Sequence, residues 1–467
     1  MMSMNAGRLI GLLMLLASAS PLSLQAGPAE RLAEAVTFRT VSSQDPAAVD
    51  YAVFGEFNAF LRTSYPEVFS SLQVDTVNDY SLMFTWPGSD ADAGAILFTA
   101  HTDVVPVEPG TENDWTHPAF AGVIEDGVIY GRGTLDDKVG VISLLEAVSA
   151  LLADGFQPRR TVVMAFGHDE EVSGNQGAAK LAELMRERGM YFDWMVDEGG
   201  LVVTGSPVLP ERPLAMINVA EKDYLTLILE ATGEGGHSSQ PPVESTIGRL
   251  SRALVKVEDN PFPAQIVAPV DAMLEALAPY SEQPRKWIME NLWLTSPLVA
   301  SQLADDPASS AMVRTTTALT MFNAGVKENV VPQRAEARIN FRLLPGTTAE
   351  MVIDRVTELI DDPQVTIRHE PWNNRPGVAD HEGEGFKVLA EAVSAVYPDA
   401  VSVPALLVAT TDTRHYRNLA DDHYRFHGMR MPLQLVGGIH GTDEQIGVES
   451  FTNTIRIAEE FIRNGSR

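Results

Sequence analysis

The hydrophobic pattern of the first half of the chain predicts short buried strands that alternate with helices. Apolar runs at 95–100, 161–166 and 192–196 have the length of strands and no polar alternation, which is typical of strands buried on both faces of a parallel sheet. Between the first two runs, residues 139–152 carry apolar side chains at helical spacing, and Gly155 follows the end of that helix. This order predicts an α/β domain in which helices cover both faces of a mostly parallel sheet.

A different pattern in the middle of the chain predicts a sheet with one solvated face. Residues 224–230 and 315–322 have the character of strands, and residues 334–342 alternate strictly between apolar and polar side chains. After a Pro-Gly break, Thr347 and Glu350 have the spacing of a capping box, which predicts a helix over the following dozen residues. Strands and helices in this order predict a second, α+β unit.

We therefore expect a catalytic domain interrupted by an inserted lid domain. The catalytic domain would comprise residues 27–218 and 372–467, and the α+β lid would comprise residues 219–371. Within the lid range, residues 261–311 are rich in Leu, Trp and Pro and are expected to be helical, but their pattern does not say which sheet they cover.

Residues 1–26 have the features of a cleaved signal peptide. Arg8 precedes an apolar run at 9–19, which is short for a membrane span, and Ala26 offers a small residue for cleavage. An uncleaved N-terminal anchor is the alternative. We expect a mature chain that is secreted or periplasmic, without a stable membrane partner.

Composition narrows the chemistry of any active site. The 467 residues include no cysteine, which excludes disulfides, thiol catalysis and cysteine-ligated metal, so a metal site must use His, Asp and Glu. The formal net charge of −29 repels nucleic acid and anionic membranes, and no nucleic-acid partner is expected. The same charge is also what an ordinary solvated acidic surface would give.

Histidine and acidic side chains follow the predicted buried strands where each strand ends. His101 and Asp103 follow the first strand, Glu170 and Glu171 follow the second, and Asp197 follows the third. The carboxyl ends of parallel strands share one sheet edge, where α/β proteins place their sites. A carboxylate two residues from a histidine can fix its tautomer, as outer carboxylates do for metal-bound histidine.

Two glycine-rich loops add further candidate ligands. Asp136 and Asp137 are adjacent in the loop that precedes the first helix of the α/β pattern, and like charges so close repel unless a cation relieves them. An acidic helix N-terminus is the alternative reading of this pair, although it explains one aspartate better than two. His440 lies in the second loop, near the end of the chain.

These residues resemble a known family, the M20 metallopeptidases, and most of all its carboxypeptidase S branch, which includes secreted N-fatty-acyl-amino-acid hydrolases. In chain order the matching segments are HTDVVP, YGRGTLDDK, GHDEEVSG, VDEGG, GGHSS, NVVP, NFRLLPG, TTDTRHY and GGIHGTDE. The resemblance covers nearly the whole mature chain, and the segments YGRGTLDDK and GHDEEVSG are the most specific.

The resemblance implies a site for two zinc ions. Asp136 would bridge both ions, and the peptide bond between Asp136 and Asp137 would be cis. The remaining ligands would be His101 and Asp197 for one ion, and Glu171 and His440 for the other. Some relatives use the next acidic position instead of Asp197, which here is Glu198. Cobalt or manganese could occupy the same ligands.

The resemblance also implies catalytic and substrate-binding roles. Glu170 would be the general base, with Asp103 supporting the catalytic site, and His237 of the lid would steady the oxyanion. Asn329 and Arg342 match substrate contacts in the lid, and Arg414 is suited to a two-pronged contact with a substrate carboxylate. A surface ion pair is the alternative for either arginine.

The expected function is hydrolysis of an amide or peptide bond next to a free C-terminal carboxylate, as in a carboxypeptidase or dipeptidase acting on small peptides. The alternative substrate is an N-acyl amino acid, including one with a fatty acyl chain. A non-catalytic metal- or peptide-binding protein would lack a ligand or the base, whereas every matched position is occupied here. A homodimer is compatible with the sequence, which does not decide the oligomeric state.

Overall fold

The computed structural model describes residues 26–370 and 377–467. The predicted signal peptide therefore lies outside the described residues except for its last position, as does the expected return to the catalytic domain at 372. Among the described residues, no helix combines the length and apolar character needed to cross a membrane.

Helices and strands follow one another along the whole described chain. The helices are α1 (Pro28–Thr37), α2 (Tyr51–Ser64), α3 (Pro66–Ser71), α4 (Lys138–Ala153), α5 (Ala178–Glu187), α6 (Thr246–Glu258), α7 (Ala268–Leu277), α8 (Arg285–Glu290), α9 (Leu292–Leu303), α10 (Pro307–Val313), α11 (Ala349–Ile360), α12 (Glu384–Val396), α13 (Thr413–Tyr416) and α14 (Val448–Gly465). The strands are β1 (Gln73–Val77), β2 (Ser81–Trp86), β3 (Ala95–His101), β4 (Val123–Glu125), β5 (Val128–Tyr130), β6 (Thr161–Gly167), β7 (Phe192–Asp197), β8 (Val202–Thr204), β9 (Leu214–Glu221), β10 (Asp223–Thr232), β11 (Gly236–His237), β12 (Thr316–Ala324), β13 (Val330–Val331), β14 (Arg334–Leu343), β15 (Val365–His369), β16 (Val401–Leu407), β17 (Ala420–Arg425), β18 (Arg430–Pro432) and β19 (Gln445–Gly447).

The largest sheet is the expected mostly parallel one. Within the described residues it has the order β1-β2-β6-β3-β7-β17-β9-β8-β18, with β16 paired to β9. Strands β6, β3, β7 and β17 run parallel to one another at its centre. Their carboxyl ends therefore meet at one edge of the sheet, as the sequence predicted.

Both faces of this sheet are buried. On β3, Phe98 belongs to the apolar core that includes the side chains of α4 and α14, whereas Leu97 packs into the core beneath α5. Successive side chains of a strand point to opposite faces. Burial of both explains why the sequence shows continuous apolar runs here and not alternation.

A second sheet, with the order β12-β14-β10-β15, has one buried and one more exposed face. Along β14 the side chains alternate between buried and partly exposed positions, as predicted from the sequence, and Ile339 and Phe341 are fully buried. Helices α6 and α11 cover the buried face and form a separate apolar core with it. This combination of a sheet and covering helices is the expected α+β lid. The predicted fold class, an α/β domain with a mostly parallel sheet and an inserted α+β lid, is confirmed.

The helical stretch α7–α10 packs on the large sheet. Val270 and Leu277 of α7 lie in one apolar core with Val403 of β16 and Leu214 of β9. The sequence predicted these helices but placed them in the range of the lid. The structure corrects this, because their apolar side chains pack on the large sheet and not on the lid sheet.

The start of α11 corrects one prediction. Thr348 is the N-cap, and its hydroxyl accepts a hydrogen bond from the backbone N–H of Met351 at 3.3 Å. The expected capping box began one residue earlier, at Thr347, whose hydroxyl instead accepts a bond from Thr315 at 3.3 Å. Two adjacent threonines allow either cap, and the contact with Thr315 takes Thr347 out of that role.

Candidate metal centre

The candidate metal centre lies at the carboxyl ends of the central parallel strands. His101 is the last residue of β3 and pairs in register with Gly167, the last residue of β6. The short turn after β6 carries Glu170 and Glu171. Because β7 runs beside β3 in parallel, its final residues reach the same edge of the sheet.

Asp136 lies between two histidines that are far apart in sequence. Its Oδ1 is 2.8 Å from Nε2 of His101, and its Oδ2 is 3.0 Å from Nε2 of His440. Glu171 Oε2 lies 3.1 Å from the same nitrogen of His440, and Glu198 Oε1 lies 3.4 Å from Nε2 of His101. The carboxylate of Asp136 is thus shared by two neighbouring groups of donor atoms, each completed by one histidine and one glutamate.

Glu198, and not Asp197, is the acidic residue that faces these donors. Asp197 is buried, and its Oδ2 accepts a hydrogen bond from the hydroxyl of Thr413 at 2.8 Å. Ligand atoms of Glu198, His101 and Glu170 lie within 4.8 Å of one another, and so do those of His101, Asp136 and Glu171. The structure therefore replaces Asp197 by the alternative that the sequence left open.

Asp103 supports both His101 and the glutamate turn. His101 Nδ1 lies 3.0 Å from the carbonyl oxygen of Asp103 and 3.2 Å from its carboxylate. The same carboxylate accepts hydrogen bonds from the backbone N–H groups of Glu170 and Glu171, at 3.0 and 3.1 Å. Such contacts fix the ring orientation of a metal-binding histidine.

Asp137 supports the site through the backbone of His101. The peptide bond between Asp136 and Asp137 is cis, as the resemblance implied. Asp137 is fully buried, and its Oδ2 accepts a hydrogen bond from the backbone N–H of His101 at 3.2 Å.

Burial and neighbouring charges shift the pKa values of several side chains at the centre. Burial raises the pKa of Glu170 and of Glu198 well above the usual range, and neighbouring carboxylates raise both further. Hydrogen bonds to Asp136 and Glu171 raise the pKa of His440 to about 10. Burial alone would lower the pKa of His101, but the nearby carboxylates, Glu198 first, raise it well above its usual value.

This donor set fits divalent cations. Imidazole nitrogens and carboxylate oxygens are ligands of zinc, cobalt and manganese, and a cation would relieve the repulsion among the buried carboxylates. Glu171 Oε1 is buried without a hydrogen-bond partner among the described residues, so a donor atom at the centre is left for a ligand to satisfy.

Two predicted substrate residues lie beside the centre. Arg342, half-buried on β14, stacks over the ring of Tyr224 at 4.7 Å and donates a hydrogen bond to Thr410 at 3.3 Å. Burial lowers the pKa of Arg342, the positive charge of Arg414 lowers it further, and the negative charge of Glu170 opposes this. Arg342 therefore interacts electrostatically with Glu170, and Arg414 lies close enough to interact with Arg342.

The other two predicted residues, His237 and Asn329, lie together on the lid surface. Both are exposed and line an open cavity of about 730 Å³. His237 Nδ1 accepts a hydrogen bond from the backbone N–H of Ser239 at 3.1 Å. Across the described residues, no hydrogen bond or ion pair joins His237 to the histidines or carboxylates of the centre. The structure does not bring this pair to the metal centre.

Arg132 and Glu444 are residues of the site whose role the sequence did not reveal. They form a buried ion pair of 2.6 Å between the loops of Asp136 and His440. Arg132 lies in the segment YGRGTLDDK and Glu444 in GGIHGTDE, so their place in these segments was the one sign in the sequence that they belong to the site.

Comparison with known proteins identifies the family of this centre. The model of Peptidase family M20/M25/M40 matches residues 97–464, a range that includes every residue of the centre from His101 to His440. The chain belongs to peptidase family M20.

Curated relatives and a solved structure agree with membership of family M20. The chain is 38% identical, over 93% of its length and 87% of the relative, to the mouse N-fatty-acyl-amino acid synthase/hydrolase PM20D1. It is 30% identical, over 93% of its length and 83% of the relative, to carboxypeptidase S of Saccharomyces cerevisiae. The M20 metallo-carboxypeptidase Sso-CP2 of Sulfolobus solfataricus has the same fold, with a TM-score of 0.69 at 18% identity over 94% of this chain and 99% of that one.

The M20 chain is therefore an enzyme of the metallopeptidase type, as predicted. M20 enzymes depend on bound metal, typically two ions, and the donors around Asp136 could hold metal.

Proposed function

We propose that the chain is a two-zinc hydrolase that cleaves an amide or peptide bond beside a free C-terminal carboxylate. The observation that carries the proposal is the carboxylate of Asp136, which lies within 3.0 Å of both His101 and His440. Glu198 would complete the ligands of one ion with His101, and Glu171 those of the other with His440.

Bound ions would supply Lewis-acid chemistry, which makes water easier to deprotonate and polarises the amide carbonyl of the substrate. Glu170 is the residue suited to take the proton of that water. It lies on the turn held by Asp103, close to His101 and Glu198, where a carboxylate can accept a proton from water and pass it to the leaving amine.

Arg342 and Arg414 are suited to bind the substrate carboxylate. Arg342 carries a positive charge near Glu170, Arg414 carries a second one near Arg342, and guanidinium groups bind carboxylates in a two-pronged geometry. This placement would align the bond next to the carboxylate with the metal centre. Asn329 would contact the substrate from the lid.

His237 would stabilise the oxyanion only after the lid moves. It is exposed on the lid, so its action at the centre requires closure of the lid, as binding of substrate commonly causes in enzymes with lids. We also propose that the lid is the four-stranded sheet with α6 and α11, within the expected range 219–371. The remaining mature chain, together with α7–α10 on the large sheet, would form the catalytic domain.

An N-acyl amino acid is the second candidate substrate. The mouse relative named for N-fatty-acyl amino acids is 38% identical over 93% of this chain, whereas the yeast carboxypeptidase S is 30% identical over the same share. Either substrate leaves the carboxylate site unchanged, since the two classes differ only in the group on the other side of the amide. A cleaved signal peptide, and hence a secreted or periplasmic location, is part of the proposal.

The test is a hydrolysis screen of purified protein. A dipeptide series and an N-acyl series of increasing chain length, both ending in a free carboxylate, would be assayed before and after metal removal by a chelator. We expect activity that disappears with the metal and returns with zinc, and loss of cleavage when the carboxylate is amidated. Activity that persists after complete metal removal would refute the proposal, and the ratio of kcat/KM values between the two series would decide the substrate class.

A further inference from the structure

We propose that Arg132 and Glu444 form a crossed latch, in which each residue holds the backbone of the other's loop and so sets the position of His440 against Asp136. The latch is a positioning device for the ion that His440 would bind. This inference rests on the two-ion centre proposed above and extends it to residues that would touch neither ion.

The two loops leave neighbouring strands. Strand β5 pairs with β19 in antiparallel register, with Tyr130 opposite Gln445. The loop that follows β5 carries Asp136, and the loop that precedes β19 carries His440. The pairing brings the two loops side by side but leaves their tips, where the ligands are, to be positioned by other contacts.

Arg132 holds the loop of His440. Its Nη2 donates hydrogen bonds to the carbonyl oxygens of His440 and Gly441, at 3.3 and 3.0 Å, while its Nη1 donates to Glu444 Oε2 at 2.6 Å. The guanidinium lies 5.3 Å from the ring centre of Trp115, which fixes its plane. A planar fork with several donors makes these contacts at once, which an ammonium group does not.

Glu444 holds the loop of Asp136 in return. Its Oε1 accepts hydrogen bonds from the backbone N–H groups of Gly133, Leu135 and Asp136, at 2.9, 2.7 and 3.3 Å. The side chain of Glu444 is fully buried. Each member of the pair thus binds the main chain next to the ligand supplied by the opposite loop.

His440 needs this support more than His101 does. His101 ends a buried strand and is 1% exposed, whereas the side chain of His440 is 52% exposed. His440 also has a φ of 59°, in the left-handed region that residues other than glycine rarely adopt. The ring partners of His440 are Asp136 and Glu171, which are themselves the proposed ligands. Its backbone contact with Arg132 is therefore what would fix it before an ion binds.

The latch predicts unequal effects on the two ions. Arg132→Lys keeps the charge but loses the fork, so the ion bound by His440 should bind about 10 to 100 times more weakly, as found when outer contacts of metal ligands are removed. The ion bound by His101 should keep its affinity. Glu444→Gln should weaken both binding steps, because Glu444 holds the loop of Asp136, whose carboxylate faces both His101 and His440.

The experiment titrates zinc into metal-free protein by calorimetry. The unmodified chain should bind two ions, and Arg132→Lys should weaken one binding step. Arg249→Lys is the matched control, because Arg249 makes a comparable pair of hydrogen bonds to Asp362 in the lid, at 2.8 and 3.0 Å. If both steps keep their affinities in Arg132→Lys and Glu444→Gln, the latch is overturned. If the unmodified chain binds no zinc, the proposed function fails instead.

A second measurement needs no variant and covers the case in which the variants do not fold. In the unmodified, metal-free protein, the amides of Gly133 and Leu135 should exchange with solvent slowly, because Glu444 accepts from both. Exchange at the rate of unprotected amides would overturn the latch whether or not zinc binds.

Discussion

At the scale of single residues, the centre depends on a few buried carboxylates that each serve more than one neighbour. Asp103 orients the ring of His101 and also holds the backbone of Glu170 and Glu171. A single hydrogen-bonded carboxylate thereby sets the relative positions of one histidine and two glutamates. Removal of Asp103 would leave all three free to move, so its effect cannot be confined to one step of catalysis.

Glu170→Gln tests the assignment of the general base. The amide is isosteric but does not accept the proton, so kcat should fall by about 10² to 10⁴. Zinc content, measured by atomic emission, should remain at the value of the unmodified protein. Glu183→Gln, at an ion pair with Lys180 on α5, is the control and should keep kcat. Because Glu170 also lies within ligand reach of His101 and Glu198, loss of one zinc in the variant would mean that Glu170 is a ligand.

His423 should make the protein less stable in mild acid. Burial lowers the pKa of His423 to about 4, from a usual value of 6.5. Below pH 6.5 the unfolded chain binds a proton at His423 that the folded chain does not bind. The contribution of His423 to the free energy of unfolding should therefore be constant above pH 6.5 and decrease as the pH falls towards 4.

The measurement is the free energy of unfolding from urea titrations at several pH values. The contribution of His423 should be at most about 3.5 kcal/mol, at about 1.4 kcal/mol for each pH unit of the shift. His423→Gln should therefore show a shallower decrease than the unmodified chain across this window. Parallel curves for the two proteins would contradict the assignment.

At the scale of elements, the sequence predicts the central strands of both sheets, because their burial leaves a clear hydrophobic pattern, but it does not predict most of the shorter strands. The runs at 95–100, 161–166 and 192–196 correspond to β3, β6 and β7 within one residue at each end. The choice between Asp197 and Glu198 could not be made in the same way. Asp197 is the last residue of β7 and points to Thr413, which is more than 200 residues away in sequence, and no local pattern encodes that contact.

Packing between distant elements was also beyond local patterns. The helices α7–α10 were expected, but the sequence did not show that they pack against β16, a strand that begins about 90 residues after α10 ends. The Arg132–Glu444 pair joins residues 312 apart. Motif resemblance marked both segments, whereas only the fold shows that each residue holds the opposite loop.

Thr348→Ala tests the corrected start of α11. The hydroxyl of Thr348 satisfies the backbone N–H of Met351, so its removal should lower the free energy of unfolding by about 1 kcal/mol. Thr347→Ala is the matched comparison, and its loss should be smaller because its hydroxyl meets Thr315 at 3.3 Å and caps no helix. Urea titration measures both. A larger loss of unfolding free energy for Thr347→Ala would mean that Thr347 is the N-cap, as the capping box predicted.

At the scale of the whole molecule, the groups proposed to meet the substrate are spread over the length of the lid. Arg342 lies opposite Tyr224, near the point where β9 of the large sheet continues into β10 of the lid sheet. His237 comes after the other end of β10, a strand of 10 residues that spans roughly 30 Å. Arg342 can therefore bind substrate without lid motion, whereas His237 must travel with the far end of the lid.

His237→Ala tests whether that motion serves catalysis. If lid closure brings the imidazole to the developing oxyanion, the variant should lose about 10² to 10³ in kcat, as when one oxyanion donor is removed elsewhere. KM should change little, because the carboxylate contacts of Arg342 and Arg414 remain. Zinc content should be unchanged, since His237 shares no contact with the centre. His369→Ala, at another exposed lid histidine on β15, is the control. Full activity in His237→Ala would mean that the metal centre stabilises the oxyanion without the lid, and loss of zinc would mean that His237 is a ligand.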